Sequence, residues 1–425
     1  MKILLIAKHP TTGGAAIASS RLLDALREKN VDVSMLVQEG DNVQMGIQST
    51  THGILKRWVN LFRFILERLL FLRQESSPGI RFLFSLANTG ESIIRNPLVM
   101  EADVIHLHWI NAGFLSLKTL GELLHSGKPV VWTFHDMWPF TGGCHYALDC
   151  REYTRECGMC PYLKKPSKGD LSNRIWKKKE NLFRDSKVHV ITPSNWLQKC
   201  VKASSLLYHW PVTSIHNPVN PGIFMPVERE KACYSLGLDP SKRYILFGAA
   251  TLKNVLKGFN YFLEAIRVIA SEAGIENDVE ILLFGKTRED VVQSFPLKAR
   301  NIAFVHSTRT MVELYSAAHL FVIPSLQDNL PNTIIESMLC GTPVVGFNTG
   351  GIPEMIEHRV NGYLAEHKSS GDLAAGISWV LSSGSYAQLR TGTRDLALKR
   401  FSMERSVEMH MDLYRKILNK DPQSE

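Results

Sequence analysis

Short apolar, β-branched runs alternate along this chain with longer segments in which apolar residues recur every three or four positions. The runs of the first half are Ile3–Ala7, Val31–Val37, Val104–Leu107, Val130–Phe134 and Val188–Ile191. Those of the second are Tyr244–Phe247, Val279–Phe284, Ile302–Val305, Leu320–Ile323 and Pro343–Phe347. Runs of this length, apolar on both faces, read as strands of parallel sheets, and the helix-period segments between them as the crossovers of βαβ units. The pattern predicts an α/β chain with two doubly wound sheets of about five strands each. Between them His216-Asn217-Pro218-Val219-Asn220-Pro221-Gly222 crowds breakers into a few positions and reads as the interdomain linker.

The length supports that division, since 425 residues exceed what one domain of about 100–200 residues holds. Composition is that of an ordinary folded chain, 44 % apolar and 21 % charged, with no bias toward disorder or fibrous repeats. The net charge of +8 sits in two places, +4 over residues 54–73 and +6 over 164–187, and leaves the rest about neutral. Two patches are not the continuous basic surface that coats nucleic acid, so a nucleic-acid partner is not expected. No apolar run reaches the ~18 residues of a spanning helix. The opening Lys2-Ile3-Leu4-Leu5-Ile6-Ala7-Lys8 is too short and too soon charged for a signal peptide, which makes the cytoplasm the expected compartment.

Ligands of doubly wound sheets bind at the carboxyl edge of the strands, so the chemistry is sought there. The first strand runs into His9-Pro10-Thr11-Thr12-Gly13-Gly14 ahead of a helix. Paired glycines at a helix start either let a phosphate reach backbone amides or make a plain tight turn. Neither the G-x-G-x-x-G spacing nor a P-loop is present, which disfavours dinucleotide and P-loop nucleotide binding. In the second half, a strand ending at Pro324 leads to a loop carboxylate, Asp328, and then to Glu336 eight residues on in a helix that stops at Gly341. Two such carboxylates can hold vicinal hydroxyls of a ribose and a hexose; equally, Asp328 can cap the helix and Glu336 can face solvent.

The stretch from Pro324 to Val345 resembles the E-x7-E signature of retaining glycosyltransferases of the GT-B fold, family 4 type. Gly350-Gly351-Ile352-Pro353-Glu354 and Asn361-Gly362-Tyr363-Leu364 resemble the motifs that come after it. Gly13-Gly14, the histidine loop Thr133-Phe134-His135-Asp136, the Asn217-Pro218 linker and Lys257-Gly258 match in the family's order, so the likeness covers nearly the whole chain. It implies two Rossmann-like domains facing across a cleft: an acceptor-side domain over 1–217, a nucleotide-sugar-binding domain over 218–400, and a last helix over 401–425 returning to the first. By resemblance, Glu336 holds the nucleotide ribose, Asp328 with the Asn329-Leu330 backbone the donor sugar, and Lys257 with Gly13 and Gly14 the diphosphate. His135 contacts the donor sugar, while His106 and His108 either line the acceptor side or are core histidines. Two departures stand out: Asp328 is one methylene shorter than the family's glutamate, and Ala249 follows Gly248 where the family's arginine is expected, with Lys253 a candidate substitute.

The resemblance also implies transfer of a sugar, with retention, from a UDP- or GDP-linked donor to a glycan or lipid-linked glycan in surface polysaccharide (lipopolysaccharide or capsule) assembly. No catalytic cofactor is implied. A GT-B epimerase or phosphorylase, or a carbohydrate- or partner-binding relic, are the alternatives. Two features stand outside the resemblance. Cys144, Cys150, Cys157 and Cys160 fall within 17 residues, and their C-x2-C half has the knuckle spacing of structural zinc; free or redox-sensitive thiols are the other reading. Residues 54–73, with Arg63 and Arg68 interrupting an apolar helix and Trp58 available for an interface, suit either a helix lying on an anionic membrane, which would place the protein at the inner face of the plasma membrane, or a helix packed on the first sheet.

Overall fold

The computed structural model describes every residue except 41–45, 253, 273, 303, 304, 306 and 419–425. The chain divides into two compact units: Met1–Pro218 together with the segment from Glu404, and Val219–Met403. In the first, β1 (Lys2–Ala7), β2 (Asp32–Val37), β3 (Ile47–Ser49), β4 (Val104–Leu107), β5 (Val130–Thr133), β6 (Val188–Thr192) and β7 (Val212–Ser214) form one sheet in the order β3-β2-β1-β4-β5-β6-β7. Every pairing is parallel. Ile3 to Ala7 are at most 1 % exposed, as the run predicted, because helices cover both faces of such a sheet. One of them, Gly14–Glu28, buries Ala18, Leu22, Ala25 and Leu26 at the three- and four-residue spacing of a single stripe.

The second unit repeats the plan with β8 (Arg243–Thr251), β9 (Val279–Lys286), β10 (Ala299–Asn301), β11 (Leu320–Ile323), β12 (Val344–Phe347) and β13 (Gly362–Ala365). These are ordered β10-β9-β8-β11-β12-β13 and are again all parallel. Both sheets therefore reverse their strand order beside the first strand, which is where a crevice opens between neighbouring loops.

Among the described residues, seven and six strands replace the five per sheet that the apolar runs predicted. The strand expected at Ile302–Val305 is instead Ala299–Asn301, and part of the expected run, residues 303 and 304, lies outside the described residues. In helix Gly53–Leu72 the buried residues are Asn60, Glu67, Arg68 and Phe71. Leu55 is 80 % exposed, Trp58 65 % and Phe62 64 %, so the segment is not a helix buried against the sheet. The last helix, Met403–Leu418, joins the first unit: Ser406 Oγ donates to the His216 carbonyl at 2.6 Å and Tyr414 meets His106.

Candidate active site

In the second unit three loops at the carboxyl ends of β8, β11 and β12 are tied to one another. Leu326 N donates to the Leu256 carbonyl at 2.8 Å, Thr349 Oγ1 to the Leu326 carbonyl at 3.1 Å, and Gly351 N to the Asp328 carbonyl at 3.0 Å. Two glycines allow this approach. Gly258 and Gly350 adopt φ of +66° and +59°, and a Cβ on either would overlap a carbonyl oxygen, that of Pro324 or of Asp328. The result is that Lys257, 71 residues away in sequence, sets its Nζ 2.6 Å from Asp328 Oδ2. Asp328 is buried and also accepts from Ser325 Oγ at 3.2 Å and from Asn329 N at 3.1 Å. It does not cap the helix Asn332–Leu339, whose N-cap position is Pro331.

Glu336 lies inside that helix and is buried, not solvated. The Tyr315 hydroxyl donates to its Oε2 at 3.0 Å. Asn329 and Leu330 are buried at the same loop. The structure thus gathers Lys257, Asp328, Asn329, Leu330 and Glu336 on one loop cluster, whereas Lys253 lies outside the described residues. Tyr315, which orients Glu336, carried no sequence signal: it is one aromatic in an amphipathic helix, Thr308–Ala317.

In the first unit Gly13 is the N-cap of helix Gly14–Glu28 with φ 93° and ψ 162°, a conformation suited to glycine. No atom stands within 4 Å of where a Cβ would be on Gly13 or Gly14, and no acidic side chain occupies the first helical turn. The positive pole of this helix therefore has no acidic side chain of its own first turn against it.

His135 follows β5 and is half-buried. Its Nε2 lies 3.0 Å from His108 Nδ1, and the two rings stack with centroids 5.3 Å apart. Burial pulls the His135 pKa down to about 4, so both nitrogens of this contact belong to neutral rings near pH 7 and one must donate to the other. His106 is a core histidine, fully buried, with Nδ1 2.7 Å from the Tyr414 hydroxyl and Nε2 2.7 Å from Thr133 Oγ1. His108 Nε2 is buried with no hydrogen-bond partner among the described residues.

Asp136 points elsewhere. It accepts from the Trp138 N–H at 2.9 Å and Trp109 Nε1 at 3.1 Å, and pairs with His145 Nδ1 at 2.7 Å, while His145 Nε2 meets Ser85 Oγ at 2.9 Å. Burial opposes ionisation of this carboxyl, but His145 and the two N–H donors outweigh it and hold its pKa below the usual range. Sequence reasoning did not find this Asp136–His145–Ser85 chain, because Ser85 joins from 60 residues away. The leading clue was His145 itself, only nine residues after Asp136.

The four clustered cysteines lie near one another: burial raises the Cys144 thiol pKa, and Cys150, Cys157 and Cys160 are close enough to raise it further. Cys157 and Cys150 pack with the main core of the first unit, and Cys160 and Cys144 with a separate cluster around Phe71 and Phe84. Among the described residues no group of three or more His, Cys, Asp or Glu is placed to hold a metal ion. Burial raises the thiol pKa to about 12 at Cys157 and about 11 at Cys160.

Comparison with known proteins bears on both units. The family described as Glycosyltransferase Family 4 matches residues 12–222, and that described as Glycosyl transferases group 1 matches residues 242–383. The chain is 26 % identical over 273 residues to a protein named as a colanic acid biosynthesis glycosyl transferase, WcaC, of Escherichia coli (strain K12), covering 61 % of this chain and 62 % of that one. The matches span 62 %, 44 % and 46 % of the lengths of the first curated relatives. Sucrose-phosphate synthase of Thermosynechococcus elongatus has the same fold, with TM-score 0.70 at 17 % identity over 99 % of this chain and 100 % of that one. So has Anabaena HepE, solved in complex with UDP and glucose, with TM-score 0.64 at 17 % identity over 98 % and 99 %. With its two parallel sheets and interleaved helices, the chain has the two-domain α/β fold of GT-B enzymes and belongs to the group 1, family 4 type of glycosyltransferases.

Proposed function

We propose that this protein transfers a sugar from a UDP- or GDP-linked donor to a glycan or lipid-linked glycan, with retention of anomeric configuration. The observation that carries the reading is the Lys257–Asp328 pair held at the carboxyl edge of the second sheet, with Glu336 on the adjoining helix. HepE, a structural neighbour, was solved with UDP and glucose, and WcaC, a relative, is named for colanic acid assembly; both support a nucleotide-sugar donor and a surface polysaccharide setting.

In this reading Glu336 accepts from ribose hydroxyls, and Tyr315 fixes the carboxylate for the task. Asp328 and the Asn329-Leu330 backbone take the donor sugar. Departure of the nucleoside diphosphate builds charge on its β-phosphate, and Lys257 neutralises it; an ammonium has three protons and can keep Asp328 while meeting a phosphate oxygen. The Gly13-Gly14 helix end supplies amides to an anion. His135, neutral because it is buried, donates or accepts at a sugar hydroxyl without adding charge. Lys257 supplies a positive charge for the leaving group, and the reading implies no catalytic cofactor.

The protein works in the cytoplasm at the inner face of the membrane, held there by helix Gly53–Leu72. Among the described residues no helix is long and apolar enough to cross a membrane. The exposed Leu55, Trp58 and Phe62 of this helix, in a segment of net charge +4, suit insertion among anionic headgroups. Flotation with phosphatidylglycerol vesicles at low salt tests the attachment, and protein that stays at the bottom removes it.

For the reaction itself, melting-temperature screening with nucleoside diphosphates and their sugars identifies the donor. Nuclear magnetic resonance of the product then reads the anomer. An inverted product, or full activity in Lys257→Ala, refutes the assignment.

A further inference from the structure

The sugar-transfer reading makes no use of Ser85, His145 or Asp136, yet these side chains form one hydrogen-bonded line in the first unit. Asp136 Oδ2 lies 2.7 Å from His145 Nδ1, and His145 Nε2 lies 2.9 Å from Ser85 Oγ. All three residues are buried. The serine end of the line meets a cavity of about 810 Å³, which Ser85 lines together with Phe64 and Trp109. Leu61 and Phe82 belong to the same lining and are exposed, so the space reaches the surface.

Each member is held in one orientation. The Trp138 N–H donates to Asp136 Oδ1 at 2.9 Å and Trp109 Nε1 donates to Oδ2 at 3.1 Å. Burial opposes ionisation, but His145 and these two donors keep the carboxyl ionised. A carboxylate only accepts, so His145 Nδ1 carries the proton of their bond, and in the imidazole form Nε2 is left to accept from the Ser85 hydroxyl. The backbone ties the serine and the histidine to one frame. Ser85 N donates to the Gly143 carbonyl at 2.8 Å, Trp138 Nε1 to the Ser85 carbonyl at 2.9 Å, and His145 N to the Leu83 carbonyl at 2.9 Å.

A fourth residue supplies a donor without an acceptor. Arg68 lines the same cavity, and its Nη1 donates at 2.9 Å to the carbonyl of Phe84, the residue before Ser85. Its Nη2 pairs with Glu67 at 2.7 Å, so the charge of the guanidinium is already met. Its Nε is buried and has no hydrogen-bond partner among the described residues. A buried N–H in that state is unfavourable in the resting protein. It gains an acceptor when negative charge develops on a bound oxygen beside it.

We propose that Ser85 is a nucleophile, with His145 as its general base and Asp136 as the residue that positions the imidazole, and that it cleaves a carboxylic ester whose apolar acyl group occupies this cavity. The Ser85 Oγ attacks the ester carbonyl carbon as its proton passes to His145 Nε2, and the carbonyl oxygen takes up the negative charge and accepts from Arg68 Nε. Collapse of this intermediate breaks the bond to the alkoxy oxygen, which leaves as an alcohol with the proton from Nε2. The acyl group stays on Ser85. Water then adds to the acyl-serine by the same proton transfers, releasing the carboxylic acid and restoring the serine hydroxyl. Leu61, Phe64, Phe82 and Ala112 of the lining meet the acyl chain. This activity goes beyond the glycosyltransferase reading and does not depend on it.

The test treats the full chain with an alkyl fluorophosphonate, which forms a stable ester only with an activated serine, and reads the site by peptide mass spectrometry. The native protein should take about one label per chain, on Ser85, and urea-denatured protein none. Native chain should also hydrolyse para-nitrophenyl butyrate with saturation, at a rate that falls at least about a hundredfold in Ser85→Ala and in His145→Gln. Asp136→Asn should slow the labelling of Ser85 at least about tenfold while the final stoichiometry is kept; a merely structural role would lower the stoichiometry and leave the rate constant alone. The label on the wild-type chain requires no variant to fold. Native protein that takes no label on Ser85, or ester hydrolysis that survives Ser85→Ala, overturns the proposal.

Discussion

Replacing Lys257 with Met removes the ammonium 2.6 Å from Asp328 Oδ2 and keeps most of the length of the side chain. Asp328 is left with Ser325 Oγ and the Asn329 N–H to hold it. A hydrogen bond to a charged group contributes about 1.5–3 kcal/mol. The Asp328 side chain is 10 % exposed but that of Lys257 is 32 % exposed, so solvent screening brings the expected loss down to about 1–2 kcal/mol. Asp328→Asn keeps the shape, can still accept from one neighbour, and returns the lysine to partial solvation, for a loss of about 1 kcal/mol. Because the two changes remove the same interaction, the double variant should cost less than their sum, with a coupling of about 1 kcal/mol. Equilibrium urea unfolding of the four proteins, resolved into the transitions of the two units, measures it. Additivity to within about 0.3 kcal/mol would show that the pair does not hold these loops together.

The same four proteins separate the roles of the two side chains. If the lysine meets the donor diphosphate, nucleoside diphosphate affinity should fall about tenfold in Lys257→Met. In Asp328→Asn it should hold or improve, because a negative charge beside the phosphate has gone while the ammonium remains. Equal losses in both variants would contradict that division, and would mean that the loop cluster, not the lysine, was being measured.

Gly258→Ala and Gly350→Ala force a Cβ onto a carbonyl oxygen at positive φ, so each should cost more than about 2 kcal/mol in urea unfolding, whereas Gly14→Ala, with open space around it, should be neutral or slightly stabilising; equal effects would be inconsistent with the loop geometry. His410, with its pKa pulled down to about 4 by burial, binds a proton more readily when unfolded. Stability should therefore be steady above about pH 6.5 and decline as the pH falls toward 4, by at most about 1.4 kcal/mol per pH unit from this residue. A His410→Gln variant that declines just as steeply would remove His410 as the cause. Burial holds the Cys157 and Cys160 thiols protonated, so iodoacetamide at pH 8 should spare both in the native protein and modify them after denaturation; rapid native labelling of Cys157, read by peptide mass spectrometry, would count against this.

The core of each sheet was legible because its strands are apolar on both faces. Ile3–Ala7, Val104–Leu107, Leu320–Ile323 and Val344–Phe347 are buried to the last residue or nearly so, and no surface helix reads that way. The edge strands were not legible. β3 and β7 are three residues each, and their conformation is set by pairing with β2 and β6 rather than by any run of their own. β10 slipped toward Ala299–Asn301 for the same reason: its register against Ile281 to Leu283, not its hydrophobicity, decides where it begins. At the site, the spacing of Asp328 and Glu336 could be read directly because eight residues cover one loop and the start of one helix. Tyr315 and Ser85 could not, since they arrive through the topology, and Lys257 was read from its glycine loop but not as the partner of Asp328.

The two carboxylates of the second unit show why such partners matter more than the spacing. Asp328 and Glu336 are both buried, yet one is met by a cation and the other by a neutral hydroxyl. Interior burial penalises a carboxylate that is not hydrogen-bonded, and both are held by donors. Asp328 has donors on both oxygens, two of them on Oδ2, so a sugar hydroxyl must join an occupied shell. Tyr315 fixes Glu336 through Oε2 and brings no charge of its own. In the ribose assignment Glu336 also accepts from a vicinal diol. Removing the Tyr315 hydroxyl alone should then disturb nucleotide binding more than turnover of bound donor: Tyr315→Phe raises KM for the nucleotide sugar about five- to tenfold, the loss of one bond to a charged group at the low end of its range. A fall in kcat with KM unchanged would place Glu336 in the chemical step and refute its assignment to the ribose.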